Sequence, residues 1–268
     1  MQYVDFGRTG LRVSRLGFGG IPVQRIDEPG TRAMLKAAHE AGINYIDTAR
    51  AYTVSEEWIG QALEELGLRD EFILATKCRA LTKAEMEAEL AASLKNLRTD
   101  HIDLYQMHCP DPTTPIAETL DTLAGLVAEG TVRYIGCSNF AAWQVTEAHW
   151  AARELGIQGF ISAQNEYSLY NRSAEDELVP ACERFGIGVL PYFPLAYGLL
   201  TGKYRRGEAA PAGSRLEAQA KRLENADWGR IEALQAFADA RDISLLTLAV
   251  GGLAAQPAVG STWVLPAL

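Results

Sequence analysis

Short apolar runs alternating with amphipathic helical stretches predict an α/β fold, a (β/α)8 TIM barrel opened by an N-terminal β-hairpin. Three observations carry that expectation. Strand-like and helix-like segments follow one another through short connections, so neighbouring strands need crossovers and run parallel. Seven strands can be counted, "RLGFGG", "YID", "FILATK", "DLYQMH", "YIGCS", "ISAQNE" and "GVLPYF", and an eighth would close a barrel. The 268 residues suit one such barrel, and no linker or low-complexity tract divides them, so residues 1–268 read as a single domain.

The elements follow in order. "YVDFGRTGLRVSRL" alternates around a turn, as a hairpin under the barrel floor would. Helices are expected near Thr31–Ala41 and Ser55–Leu66, each following a strand. Near Lys83–Leu97, Leu90, Leu94 and Leu97 recur at helical spacing, and near Pro115–Glu129 the stripe is Ile116, Leu120, Leu123 and Val127. Further helices are expected near Ala141–Leu155, Ala174–Phe185, Trp228–Ala240 and Ser244–Ala255. Thr82 with Glu85 three residues on forms a capping pattern, and Pro115 suits a first turn. Gly42, Gly67, Gly130, Gly156 and Gly186 stand where helices should stop.

Composition narrows the function classes. A hydrophobic share of 48% with 22% charge is globular, with ample core material. The net charge of −9 argues against nucleic acid or an anionic membrane as partner. The four cysteines, Cys78, Cys109, Cys137 and Cys182, have no C-x-x-C or metal-ligand spacing and read as reduced thiols. No stretch resembles a signal peptide or reaches membrane-spanning length, so a soluble cytoplasmic protein is expected.

Chemistry concentrates at strand ends. Asp47 closes one strand with Tyr52 in the loop beyond it, Lys77 closes the next, and His108 follows the one after. In a TIM barrel the C-terminal strand ends face one site, so a carboxylate, a phenol, an amine and an imidazole would converge. A phenol titrates near pH 10 and becomes a useful proton donor only if its pKa falls. A lysine ammonium beside it does that, and an aspartate keeps the lysine charged. Each residue also has an ordinary structural reading, as a helix cap, a packing ring or a solvated amine. Their joint occurrence on three neighbouring strand ends is what selects the functional one. Zinc would compete for His108, Cys109 and Asp111, but those sit on one loop and leave Lys77 unexplained; no metal site is expected.

At these positions the sequence resembles the aldo-keto reductase family. It does so in "DTARAYTVSEEWIGQAL", "ILATKC", "DLYQMH", "VRYIGCSNF", "AQNEYSLYNR" and "PYFPLAYGLLTGKY", in family order from about Gly7 to Tyr204. The resemblance implies metal-free, reversible reduction of a small aldehyde or ketone, with NADPH as cofactor and NADH as the alternative. It makes Tyr52 the general acid, Lys77 its pKa-lowering partner and Asp47 the partner of Lys77. His108 would orient the carbonyl. Ser138, Asn139 and Gln164 resemble the residues that hold the nicotinamide carboxamide, and Tyr192 the ring that stacks on it. Leu195, Gly198 and Leu199 resemble the backbone cover of the pyrophosphate, with Lys203 adding charge. Gly17, Gly19 and Gly20 would allow close backbone approach, and Val23, Tyr167 and Tyr170 are candidate pocket walls. The expected protein is a monomer or small homo-oligomer acting on a small molecule. The different-class alternative is a nicotinamide-binding regulatory subunit with little or no catalysis, since the family includes potassium-channel accessory subunits.

One departure stands out. In the family an eighth strand leads into a segment that grips the adenosine, whereas here "PAVGS" passes into "TWVLPAL". "TWVLPAL" reads as text from further downstream, so a stretch is expected to be missing between Ser261 and Thr262, leaving eighth strand and cofactor segment incomplete. Omission of a flexible loop is favoured over deletion, because an open barrel exposes strand edges.

Overall fold

Alternate residues of each short strand point to opposite faces, and here both faces are apolar over most of their length, which suits strands covered on two sides. The computed structural model describes residues 1–79 and 82–264. Its elements are β1 (Tyr3–Asp5), β2 (Arg12–Ser14), β3 (Leu16–Gly19), α1 (Glu28–Glu40), β4 (Tyr45–Asp47), α2 (Ser55–Leu66) and β5 (Ile73–Cys78). There follow α3 (Lys83–Leu97), β6 (Ile102–Met107), α4 (Ile116–Ala128), β7 (Val132–Ser138), α5 (Ala142–Leu155) and β8 (Ser162–Glu166). The chain continues through α6 (Leu178–Phe185), β9 (Gly188–Tyr192), α7 (Ala220–Glu224), α8 (Trp228–Asp239), α9 (Leu245–Ala254) and β10 (Thr262–Val264).

β1 and β2 pair antiparallel as the expected hairpin. The other eight strands form a parallel sheet in the order β10-β3-β4-β5-β6-β7-β8-β9. Its two edges meet through the last segment. Val259 bridges Val189 of β9, with the Val189 amide donating to Ala258 at 2.7 Å and Gly260 donating back to Val189 at 3.0 Å. Two residues on, Thr262 donates to Arg15 at 2.9 Å and β10 registers with β3. This is the (β/α)8 barrel expected from the strand count.

The eighth strand is short and incomplete, as expected: the described residues hold only Thr262–Val264 of it, and residues 265–268 lie outside them. Ser261 and Thr262 are consecutive residues of the closing segment, and both are fully buried. "TWV" pairs with β3 as barrel strand, and three β-prone residues after a bridge are too few to show a period of their own.

Helix boundaries follow local chemistry. Thr82 and Glu85 form the reciprocal cap of α3, and Gly67, Gly156 and Gly186 adopt the left-handed conformation after α2, α5 and α6. The expected helix near Ala174 begins instead at Leu178, because Ser173–Glu175 forms a separate 3-10 turn.

Two apolar layers result. Outward residues such as Ile46, Leu74, Met107, Ile135 and Val189 pack under the helices. Inward residues Tyr45, Ala75, Leu104 and Leu190 fill the barrel floor with Phe6 and Val13 of the hairpin region. Phe6 sits where the barrel closes: a Cβ built on Gly188 or Gly260 would meet its ring at 2.7 or 2.5 Å. A third cluster joins the loop after β9 to α8 and α9 through Leu199, Leu200, Leu216, Ile231 and Leu245. No helix among the described residues is long and apolar enough to cross a membrane.

Candidate active site

Above the apolar floor the inward positions become polar. Tyr45 gives way to Asp47 on β4, Ala75 to Lys77 on β5, and Leu104 to Gln106 on β6. Lys77 is fully buried, and its ammonium lies 2.5 Å from Asp47 Oδ2 and 2.9 Å from the carbonyl of Thr48. The second oxygen, Asp47 Oδ1, accepts from Gln106 Nε2 at 3.0 Å and Gln164 Nε2 at 2.9 Å. A buried ion pair is tolerated when remaining lone pairs find donors, and this carboxylate has three side-chain donors.

Tyr52 is carried over this pair by a tight turn. Thr48 and Arg50 still donate to β5, at Ala75 and Lys77, so the chain leaves the sheet slowly. Ser55 then ties the turn down, donating to Gly20 at 2.9 Å and sharing a 2.8 Å hydrogen bond with Thr48. Gly20 is required by that contact, since a Cβ there would meet Ser55 Oγ at 2.8 Å. Buried Glu56 pins the same turn from behind, accepting from Thr76 at 2.7 Å with Arg50 at 3.6 Å. The result places Lys77 Nζ 5.3 Å from the Tyr52 ring centroid.

His108 meets Tyr52 edge-on, with ring centroids 5.8 Å apart. Burial, then the charges of Lys77 and Arg79, push its imidazole down to about 4, so it is neutral at neutral pH. Its Nδ1 is buried with no hydrogen-bond partner among the described residues. Tyr52 is pulled both ways. Burial raises its pKa above that of a free phenol, Lys77 opposes this by charge and hydrogen bonding, and Asp47 adds to the rise. In the protein alone burial wins, which the sequence-based expectation of a lowered phenol did not include.

The other expected residues lie along the same rim. Asn139, at φ +62°, donates to the His108 carbonyl at 2.8 Å and accepts from Tyr192 at 2.8 Å. Ser138 donates to the Gln164 carbonyl at 3.0 Å. Beyond β9, Leu195 heads a 3-10 segment, Ala196–Thr201, in which Gly198 has φ +105° and Leu199 is buried in the third cluster. Phe193, Ala196 and Tyr197 also take left-handed φ, a costly run for residues with a Cβ. Lys203 is exposed, its ammonium 5.6 Å over the Tyr204 ring. Other expectations are placed elsewhere. Val23 belongs to the outer core, and buried Tyr167 donates to Glu175. Tyr170 helps line a 910 Å³ cleft with Glu166, Tyr197, Leu199 and Arg222. Trp143 on α5 is 64% exposed.

Three residues escaped the sequence reading. Gln106 looks like strand filler, yet it is the register partner of Lys77 and lies two residues before His108, on the same strand face. Glu56 stands in the first turn of α2, where an acid is common. Arg215 lies in a segment without periodicity, and its guanidinium stands over Phe193 at 5.5 Å and Tyr197 at 5.7 Å. Its Nε is buried with no hydrogen-bond partner among the described residues.

The sequence itself is similar to known proteins. Residues 15–264 fit the sequence profile of the Aldo/keto reductase family. The chain belongs to that family. This aldo-keto reductase chain is 35% identical over 282 residues to a rice (Oryza sativa subsp. japonica) protein named probable voltage-gated potassium channel subunit beta, covering 97% of this chain and 86% of that one. It is 37% identical to the uncharacterized oxidoreductase YrpG of Bacillus subtilis, over 89% of this chain and 78% of the relative. It is also 37% identical to the aldo-keto reductase YhdN of the same bacterium, over 76% and 65%. Family membership brings NAD(P)H-dependent oxidoreduction as the general chemistry.

Proposed function

We propose that this aldo-keto reductase uses NADPH to reduce a small aldehyde or ketone in the cytoplasm, reversibly and without metal, with Tyr52 as general acid. The observation that carries the reading is the buried Asp47–Lys77 pair beneath Tyr52 and beside His108. Bound nicotinamide would supply the hydride. The protein's part is to receive the charge that develops on the carbonyl oxygen. Tyr52 donates a hydrogen bond and then its proton to that oxygen, and Lys77 stabilises the phenolate left behind. Neutral His108 is available to position the oxygen by hydrogen bonding, consistent with its lowered pKa.

The residues present suit the cofactor. Ser138, Asn139 and Gln164 would hold its carboxamide and Tyr192 its ring. The backbone of Leu195, Gly198 and Leu199 would cover the pyrophosphate, with Lys203 nearby. The unpartnered Arg215 Nε is a ready donor for a phosphate oxygen.

The relatives named as channel β subunits set the second reading, nicotinamide binding without useful turnover. Titrating the protein with NADPH and with NADH by fluorescence, then assaying a carbonyl panel, separates the two. We expect tighter NADPH binding and measurable reduction. Tyr52→Phe should cut kcat by about a thousandfold or more with cofactor binding nearly unchanged. Retained turnover in Tyr52→Phe would remove it as the acid, and binding without turnover in the parent protein would favour the second reading.

A further inference from the structure

The acid–base assembly has a member that the proposed roles leave out. Gln106 is fully buried near the C-terminal end of β6, and both polar atoms of its side chain are engaged inside the barrel. Its Nε2 donates to Asp47 Oδ1 at 3.0 Å, and its Oε1 lies 3.4 Å from Gln164 Nε2, which donates to the same Asp47 oxygen at 2.9 Å. Two amides from β6 and β8 thus reach across the barrel to grip one carboxylate oxygen, while Lys77 holds the other. The space for this is provided on the strand between them. Gly136 of β7 is in register with Gln106, and a Cβ there would meet Ser162 Oγ at 2.3 Å and stand 3.2 Å from both Gln106 Cγ and Leu104 Cδ1. Any larger residue at that position would clash first with Ser162 and also crowd the Gln106 side chain that has to cross.

We infer that Gln106, seated in the gap left by Gly136, is a positioning residue for the proposed reduction: with Gln164 it fixes Asp47, and through Asp47 it sets how strongly Lys77 acts on the Tyr52 phenol. The physical argument is charge dispersal. Each amide donor spreads the negative charge of Asp47, so less of it offsets the ammonium that faces Tyr52. The arrangement also links two functions. Gln164 is the residue assigned to the cofactor carboxamide, so a contact made there is one hydrogen bond from Asp47 and two from Lys77. The charged and titratable groups facing this assembly are Lys77 and Arg79 on the β5 side, His108 after β6, Tyr45 and Asp47 on β4, and Tyr192 on β9.

The inference rests on Tyr52 being the acid, and the experiment keeps the two ideas apart. Gln106→Met has nearly the same shape and lacks the donor; Gln106→Asn keeps an amide that is one methylene too short to reach. The pH profile of kcat for carbonyl reduction would be measured for the parent protein, both variants and Tyr52→Phe, with NADPH affinity read by fluorescence. We expect the alkaline limb of either variant to move upward by about half a pH unit or more, kcat to fall about tenfold, and NADPH affinity to stay within about twofold. A purely structural role would change stability or binding without moving that limb. An unshifted limb in whichever variant folds, with Tyr52→Phe inactive, would overturn the role of Gln106. An active Tyr52→Phe would instead remove the reading on which it stands.

Discussion

Tyr52 shows how finely one residue is balanced. Burial makes the phenol a weaker acid, and the Lys77 ammonium 5.3 Å from its ring works against that. The balance has a direct consequence for Lys77→Met. With the cation gone, the two remaining main influences, burial and Asp47, both raise the Tyr52 pKa. The alkaline limb of carbonyl reduction should move upward, and kcat should fall by about a hundredfold or more, because a weaker acid stabilises the developing oxyanion less. An unchanged pH–rate profile would contradict the role of Lys77. The variant must be checked for folding, since it leaves Asp47 buried without its cation, a loss on the order of 3–5 kcal/mol. The four candidates were legible from sequence because each ends or follows a short apolar run, so its position on the rim follows from topology. Gln106 was not, because an amide inside such a run looks like tolerated polarity. Its signal was register: a residue paired with Lys77 and spaced two from His108 must share their face.

Among the elements, the hairpin and the closing strand depend on one another. Phe6 is fully buried against Gly188 at the start of β9 and Gly260 just before β10. A glycine at both positions makes room for one ring, so the hairpin acts as a plug at the barrel's seam. Phe6→Ala should cost about 3–5 kcal/mol, read as a lowered urea midpoint, because neither neighbour has a side chain to fill the void. A loss of under about 1 kcal/mol would mean that the seam closes without the plug. The seam was also the least legible part of the fold. The order of strands and helices could be counted, and α2 and α3 match their expected bounds, with Gly67 ending α2 and the Thr82–Glu85 box starting α3. The closing segment offers only a bridge at Val259 and three paired residues, and such pairing is decided by what lies across the barrel rather than by local pattern. The loop after β9 is similar. Its left-handed Phe193, Ala196 and Tyr197 are held by packing of Leu199 and Leu200 on the distant α8 and α9 region.

For the molecule as a whole, the site makes folding stability depend on pH. His108 titrates at about 4 in the folded protein, because burial and the cations Lys77 and Arg79 disfavour its charged form, and near 6.5 when unfolded. Its folded pKa is depressed, so the unfolded chain binds the proton first. The contribution to stability is therefore complete above pH 6.5 and is lost as pH falls from there towards 4. The full linkage over that interval would be about 3 kcal/mol, and allowing for solvent screening at the rim leaves about 2 kcal/mol. His149 adds a smaller effect of the same sign, its pKa lowered by burial and by Arg153 and Arg8. Urea unfolding at pH 7.5 and pH 4.5 should reveal the loss in the parent protein. His108→Gln, which cannot titrate, should remove most of the difference. An equally steep acid slope in that variant would place the sensitivity elsewhere in the chain. The same reasoning bears on function. Within the stable range His108 stays neutral, so the acid limb of activity, down to about pH 4, should not report its protonation. A reaction that draws its proton from Tyr52 can then run near neutrality without a second titrating partner.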